Sequence, residues 1–366
     1  MQNYFSKLII ISIFLTIIFS NRQATTAFNS AKTYARVEKN LKKAEEFGLS
    51  AYELDSTNAL YTYFLATEVL IPLKKRDKAG EMFIKTLELE DTELEKPFRL
   101  GDNYIRTVHQ STRLYADDFY NYAIDSYNKK DLEKTESRFN IALQLDSKHL
   151  KSMLGLADLS YNNKQDIEQA LKYINDALEV ADDSNLMQIT LTKVFYLRKA
   201  ARFDEAINLL VQKEAQGLLG VKELRELFLT YLDSIEKNKE NLDKAIQTGE
   251  GLVSKMIDEL AITEQSLTSE VSYNLAVSFR QRALQNYNLI AEYLTSEENS
   301  AELNNKYIEL CKNIQEDLNQ TTHYFLISIA YDDKPTTSNE TKNYRSEANE
   351  LKKKVETLLL AKLQNE

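Results

Sequence analysis

A chain of 366 residues with three prolines, eight glycines and 28% charged residues suits long helical runs with brief turns and excludes a strand-rich, turn-dense fold. Its formal charge of −10 argues against a nucleic-acid or anionic-lipid surface, because an acidic body repels phosphate unless it carries a dense basic patch. The single cysteine, Cys311, excludes an intramolecular disulfide and is expected as a buried, inert thiol beside Tyr307, Ile308 and Ile314.

Residues 1–27 read as a secretory leader. Lys7 precedes the apolar run Leu8–Phe19, and the polar stretch Ser20–Ala27 offers Thr25 and Ala27 as small residues for cleavage before Phe28. A twelve-residue apolar helix reaches about 18 Å, short of the ~30 Å of hydrocarbon, so cleavage is preferred to a retained anchor through Leu8–Phe19. Cleavage removes Lys7 and Arg22 and no acid, which takes the charge from −10 to −12. The mature chain is therefore expected to be exported, in a periplasm or envelope, with extracellular release or membrane anchoring as the alternatives.

From Phe28 to about residue 260 the spacing predicts consecutive helix pairs. Ala44, Gly48 and Ala51 line the second helix of the first pair, and Ala79, Phe83 and Thr86 follow 35 residues later. Pro97 suits the first turn of a helix to about Leu114, with Phe98, Tyr104, Ile105 and Val108 as its apolar side. Whether 92–115 is a divergent repeat or an insertion stays open at this point. Between Ala116 and Leu210 one pattern is written three times. Phe119, Ala123 and Tyr127 recur as Met153, Ala157 and Tyr161 after 34 residues, and Thr135, Phe139 and Ala142 recur as Ala170, Ile174 and Ala177 after 35. A third copy ends at Ala206 and Leu210. Self-similarity at this period predicts a helical solenoid, since each pair buries its face only by stacking on its neighbours.

Leu227, Phe228 and Tyr231, answered by Ala245, Ile246 and Gly249, extend the pattern as a hairpin with a polar turn at Lys237–Asn241. Residues 261–333 are expected to form a longer helical hairpin that continues the solenoid, one arm capped by Ser269 and the other running from Ala301 to Tyr331. A coiled-coil seam is the lesser reading, because Arg280 interrupts the 3-4 spacing. After a break at Pro335, 334–366 is expected to hold a linker and a closing helix with Tyr344, Ala348, Leu351 and Val355 inward.

These positions resemble the tetratricopeptide repeat family. Ala123 and Ala157 match its small first-helix residue, Thr135, Ala170 and Ala206 the alanine opening its second helix, Phe139, Ile174 and Leu210 the large residue one turn later, and Ala142 and Ala177 its second alanine. Phe119 and Met153 stand in place of its tryptophan, and Ser147 in place of its closing proline. The resemblance implies an all-α, right-handed solenoid of helical hairpins over 28–260. It also implies that first helices line a concave surface, on which Asp117, Tyr120, Tyr127, Asn128, Lys151, Asp158, Tyr161, Asn162, Phe195 and Arg198 fall. Tyrosine there would suit a groove for an extended peptide or helix, and it equally fills the packing between repeats. The lysine and asparagine pairing by which some members clamp a terminal carboxylate is not recognisable.

No motif for chemistry accompanies this pattern. His109, His149 and His323 stand far apart, and phosphate-cradling, nucleophile-elbow and dinucleotide-binding glycine signatures are absent from the sequence. No catalytic residue, metal or cofactor is expected. Asn319-Gln320-Thr321 and Asn339-Glu340-Thr341 would accept glycans only in a eukaryotic secretory pathway, the second from an expected exposed loop. The expected function is an exported, non-enzymatic scaffold holding a protein or peptide partner, without nucleic acid and without bulk membrane binding. The alternatives are a helical solute-binding receptor of nutrient-uptake type and self-assembly through the 270–331 hairpin.

Overall fold

The computed structural model describes residues 20–259, 265–295, 301–331 and 337–363, so the apolar run of the expected leader lies outside it. The chain forms two compact units, Met1–Ile189 and Thr190–Glu366. Both are built from helices, and the described residues hold a single two-stranded sheet.

The first unit runs as helix α1 over 20–36, α2 (Leu41–Leu54), α3 (Ala59–Phe64) continuing into a π turn (Leu65–Leu70), α4 (Arg76–Glu88), β1 (Glu93–Leu100), β2 (Asn103–Thr107), α5 (Val108–Arg113), α6 (Ala116–Asn128), α7 (Leu132–Leu145), α8 (Leu150–Asn162) and α9 (Ile167–Val180). Helix α10 (Asp183–Lys199) crosses the division. The second unit continues with α11 (Phe203–Ala215), α12 (Val221–Ser234), α13 (Asn241–Glu259), α14 (Gln265–Thr295), α15 (Ala301–Ala330) and α16 (Thr337–Leu363). The pairs α6/α7, α8/α9 and α12/α13 pack as hairpins, and α7 packs in turn on α4 and α8.

One register explains these pairs. Each second helix opens on a fully buried small residue: Ala44, Ala79, Thr135, Ala170, Ala206 and Ala245. One turn later come Phe83, Phe139, Ile174 and Leu210, also buried, or Gly48 and Gly249, where Leu65 and Phe228 fill the space a side chain would need. A small residue lets the two backbones approach, and the large one closes the gap beside it, as interior packing density requires. Five residues before the small residue of the first five copies stands a left-handed one: Lys39, Lys74, Lys130, Gln165 and Ala201, with φ between +54° and +62°. These residues reverse the chain between the helices of a pair. Behind three of them Asn40, Asp131 and Asp166 cap the next helix, each accepting from the backbone N–H three residues on.

The same landmarks measure an insertion. Lys39 to Lys74 and Lys130 to Gln165 are each 35 residues, but Lys74 to Lys130 is 56, so about 21 residues are extra. They form the antiparallel hairpin β1/β2, not the helix expected from Pro97 to about Leu114; only Val108–Arg113 of that stretch is helical. Gly101, at φ +58°, supplies the left-handed turn between Leu100 and Asn103. Pro97 sits where the register shifts between Glu93 and Phe98, a place where a missing N–H costs no ladder bond. Leu94 and Ile105 pack on Ala59 and Val108, which fixes the hairpin to α3. Thr107 and Gln110 then form a capping box that starts α5.

In the second unit α14, α15 and α16 span 31, 30 and 27 residues. Their core joins Ala283, Ile290, Tyr307, Cys311, Ile314, Leu318, Ala348 and Val355. Cys311 is fully buried, and burial pushes its thiol pKa up, the opposite of an activated nucleophile. Arg280 leaves the apolar seam, lying over the Tyr344 ring at 5.0 Å and pairing with Glu347. The Asn339 sequon lies in α16 and not in an exposed loop, and its Thr341 is buried. No helix among the described residues is long and apolar enough to cross a membrane.

Candidate interaction face on the first unit

Eight of the ten expected contact residues lie on α6 and α8, the first helices of two successive pairs. Phe195 and Arg198 lie on α10 within the second unit. The ten therefore divide between two units.

On α6 and α8 the residues do converge. Lys151 Nζ donates to Asp117 at 3.1 Å and stands over the Tyr120 ring at 5.8 Å from its centre. Tyr120 is half-buried, its ring 5.7 Å from that of Phe139 and 5.8 Å from the His149 imidazole. Phe139 reaches this position because Gly155 gives way: a Cβ there would lie 2.6 Å from the Phe139 ring. Lys151, with a further hydrogen bond from His149, holds the Asp117 carboxyl below the usual aspartate range. Asp118 moves the other way, raised by burial and by Asp117.

A turn or two further along, Asn162 donates to Asp158 at 2.6 Å, and both are exposed with Asn128. Tyr127 is 38% exposed, whereas Tyr161 is half-buried. The face thus carries one half-buried aromatic ring tilted against Phe139 and His149, a second more exposed ring, and a border of carboxylates, amides and one lysine. Arrayed hydrogen-bonding groups beside a fixed ring suit recognition of an extended chain.

His149 is the member that the sequence reading missed. It is 9% exposed, bonds Ser152 through Nδ1 at 2.8 Å and reaches Asp117 through Nε2 at 3.4 Å. It buttresses the face from behind. Arg198 is engaged structurally: its guanidinium bonds Glu226 at 2.6 Å and Asp233 at 2.7 Å, tying α10 to α12. Phe195, 38% exposed, lies beside Tyr196 and under Lys199. His109 binds the Thr86 carbonyl and His323 packs on Tyr324. Among the described residues no three His, Cys, Asp or Glu side chains are grouped to hold a metal ion.

The fold is an array of helical hairpins of the tetratricopeptide kind. No protein-family model matches the sequence, and no curated protein does. Several solved structures align with it. A TPR repeats protein from Bacteroides fragilis is 14% identical over 66% of this chain and 98% of its own, with a TM-score of 0.37. A tetratricopeptide repeat protein from Parabacteroides merdae is 12% identical over 91% and 99%, at 0.31. YrrB, described as a TPR protein with an unusual peptide-binding site, is 16% identical over 56% and 89%, at 0.33. The helix-pair register, and not these low scores, identifies the fold.

Proposed function

We propose that the protein is an exported, non-enzymatic interaction scaffold that holds an extended segment of a partner protein along the α6/α8 face. The observation that carries this reading is the Tyr120 site: a fixed aromatic ring flanked by Lys151 and Asp117, beside a second polar cluster at Asp158 and Asn162. Repeat helices place such groups at regular intervals, which suits an extended chain better than a compact small molecule. The acidic overall charge favours a partner segment that brings cations, through steering at low salt. Export rests on the leader pattern of residues 1–27.

The test is the double substitution Tyr120→Ala with Lys151→Ala. A partner is first isolated on the wild-type protein from the native cell and identified. The variant should bind it at least tenfold more weakly, about 1.4 kcal/mol, with its helicity and cooperative melting retained and its melting temperature lowered by the lost packing of Tyr120 on Phe139. Unchanged affinity for the same partner removes this face from the reading.

A further inference from the structure

The inserted hairpin β1/β2 carries apolar surface that its own unit leaves uncovered. Phe98 pairs with Ile105 across the ladder, so the two share one face, and Leu100 lies two residues further along the same strand. Ile105 and Leu94 are buried against Ala59 and Val108, whereas Phe98 and Leu100 stay 39% and 52% exposed. Between Phe98 and the helices lies a cleft of about 230 Å³, walled by Phe28, Leu60, Tyr63 and Phe64 with Leu94 and Phe98. That is below the roughly 300 Å³ at which pockets begin to hold whole small ligands, and it suits a single large side chain.

Charge decides what surrounds that side chain. Within the cleft the charges are matched: Arg36 donates to Glu68 at 2.6 Å and to Glu95 at 3.2 Å, and Lys32 to Glu95 at 2.7 Å. On the hairpin they are not. No carboxylate among the described residues pairs with Lys96, Arg99 or Arg106, and the only acid between Lys96 and Arg106 is Asp102, in a chain of formal charge −10. Repulsion from the rest of the molecule therefore confines an acidic ligand to this place. The helix behind the cleft is irregular as well. Its π turn, Leu65–Leu70, closed by the Ile71 N–H donating to the Ala66 carbonyl at 3.0 Å, brings Glu68 to the cleft wall, and such turns are frequent at functional sites. Pro97 and the register shift blunt β1 as an edge for strand addition, so an occupant is held by its side chains. A bilayer fits less well, because Phe98 faces a recess and the acidic body repels anionic lipid.

We propose that this cleft is a second docking site, taking one large apolar side chain from a partner protein segment that is acidic on either side of it. The apolar side chain enters between Phe64 and Phe98. The flanking carboxylates meet Lys96 at the lip, with Arg99 and Arg106 adding attraction at longer range. The site is separate from the α6/α8 face and does not depend on export.

The probe is a synthetic pentapeptide, blocked at both ends, with phenylalanine at its centre and two glutamates on each side, titrated into the isotope-labelled full-length protein. Saturable shifts are expected at Leu94 and Phe98, with a Kd on the order of 1 mM or tighter. Alanine at the centre of the probe, or Phe98→Ala in a protein that still melts cooperatively, should weaken binding about tenfold. Lysines in place of the glutamates should abolish it. Lys96→Glu, at an exposed position, should weaken it about threefold or more and leave the melting temperature unchanged. Equal binding of the alanine-centred or lysine-flanked probe overturns the proposal, as does the absence of saturable shifts at millimolar probe. Binding to phosphatidylglycerol vesicles or self-association in place of peptide binding, lost in Phe98→Ala, overturns it in favour of a bilayer or a second copy of the chain.

Discussion

The repeats of the first unit and the long helices of the second solve the same packing problem differently. Between α6 and α9 the hairpins close on Thr135, Phe139, Ala142, Ala170, Ile174 and Ala177, small and large residues alternating at fixed spacing; Arg138 enters this packing, donating to the Ser126 hydroxyl at 2.6 Å, but the Asp77 carboxylate it pairs with stays half exposed. Between α14 and α15 a charged pair enters the packing: Arg282 donates to Asp317 at 2.6 Å, with the Asp317 side chain 4% exposed, and reaches Asp243 on α13 at 2.8 Å. Burial raises the pKa of neighbouring Glu250, with Asp317 adding to the effect and Arg282 opposing it. An apolar register tolerates loss of surface charge. A buried carboxylate such as Asp317 fails when its half-exposed arginine is removed, because it is left desolvated and uncompensated.

The largest effect should therefore come from Arg282→Ala. It strands the Asp317 carboxylate and should cost about 3–5 kcal/mol in chemical denaturation. Replacing both partners at once, Arg282→Met with Asp317→Leu, should recover most of that loss, and a double variant as unstable as the single one would erase the contrast between the units.

In the first unit the sharpest probe is Gly155→Val, which forces side-chain atoms against the Phe139 ring. Overpacking there should cost about 1–3 kcal/mol and loosen Tyr120 as well, visible as a shift in its ring resonances. A smaller change of opposite sign is expected at the turns. Lys130→Gly relieves a left-handed φ of +62° and should stabilise by about 0.5 kcal/mol, the strain relief exceeding the extra freedom gained by the unfolded chain.

The smallest expected effect is electrostatic. Asp117 should titrate below its ordinary 3.8, and Lys151→Ala should return it towards that value in an NMR titration. Because the folded pKa is depressed, the contribution is fully present above pH 3.8 and fades as pH falls through the folded value.

Much of this was legible from spacing. The buried small positions recur at 35 residues from Ala44 to Ala79 and at 35 and 36 from Thr135 through Ala170 to Ala206, and periodic burial is what a sequence records best. The inserted hairpin was not legible as such, since Tyr104 and Val108, and Phe98 and Ile105, also stand at helical intervals. Gly101-Asp102 was the turn signal that should have outweighed Pro97, which fits a helix start and a strand bulge equally. The site was legible in part. Asp117 and Lys151 are opposite charges 34 residues apart, one repeat, so stacking brings them together. Arg198 and Asp233, 35 apart, meet for the same reason and tie α10 to α12. Where one compact unit ends and the next begins depends on long-range packing, which leaves no local signature in α10.

The central claim is that α6 and α8 together present the surface a partner occupies. It is tested most directly by placing a photo-crosslinking side chain at Tyr120 or Asn162 on that face, and at Ser137 or Lys172 on the second helices, then illuminating the native cell. The account predicts one defined protein adduct from Tyr120 and Asn162, mapped by mass spectrometry to a single segment, and none from Ser137 or Lys172. The same adduct arising equally from all four positions, or only from α7 and α9, would contradict it.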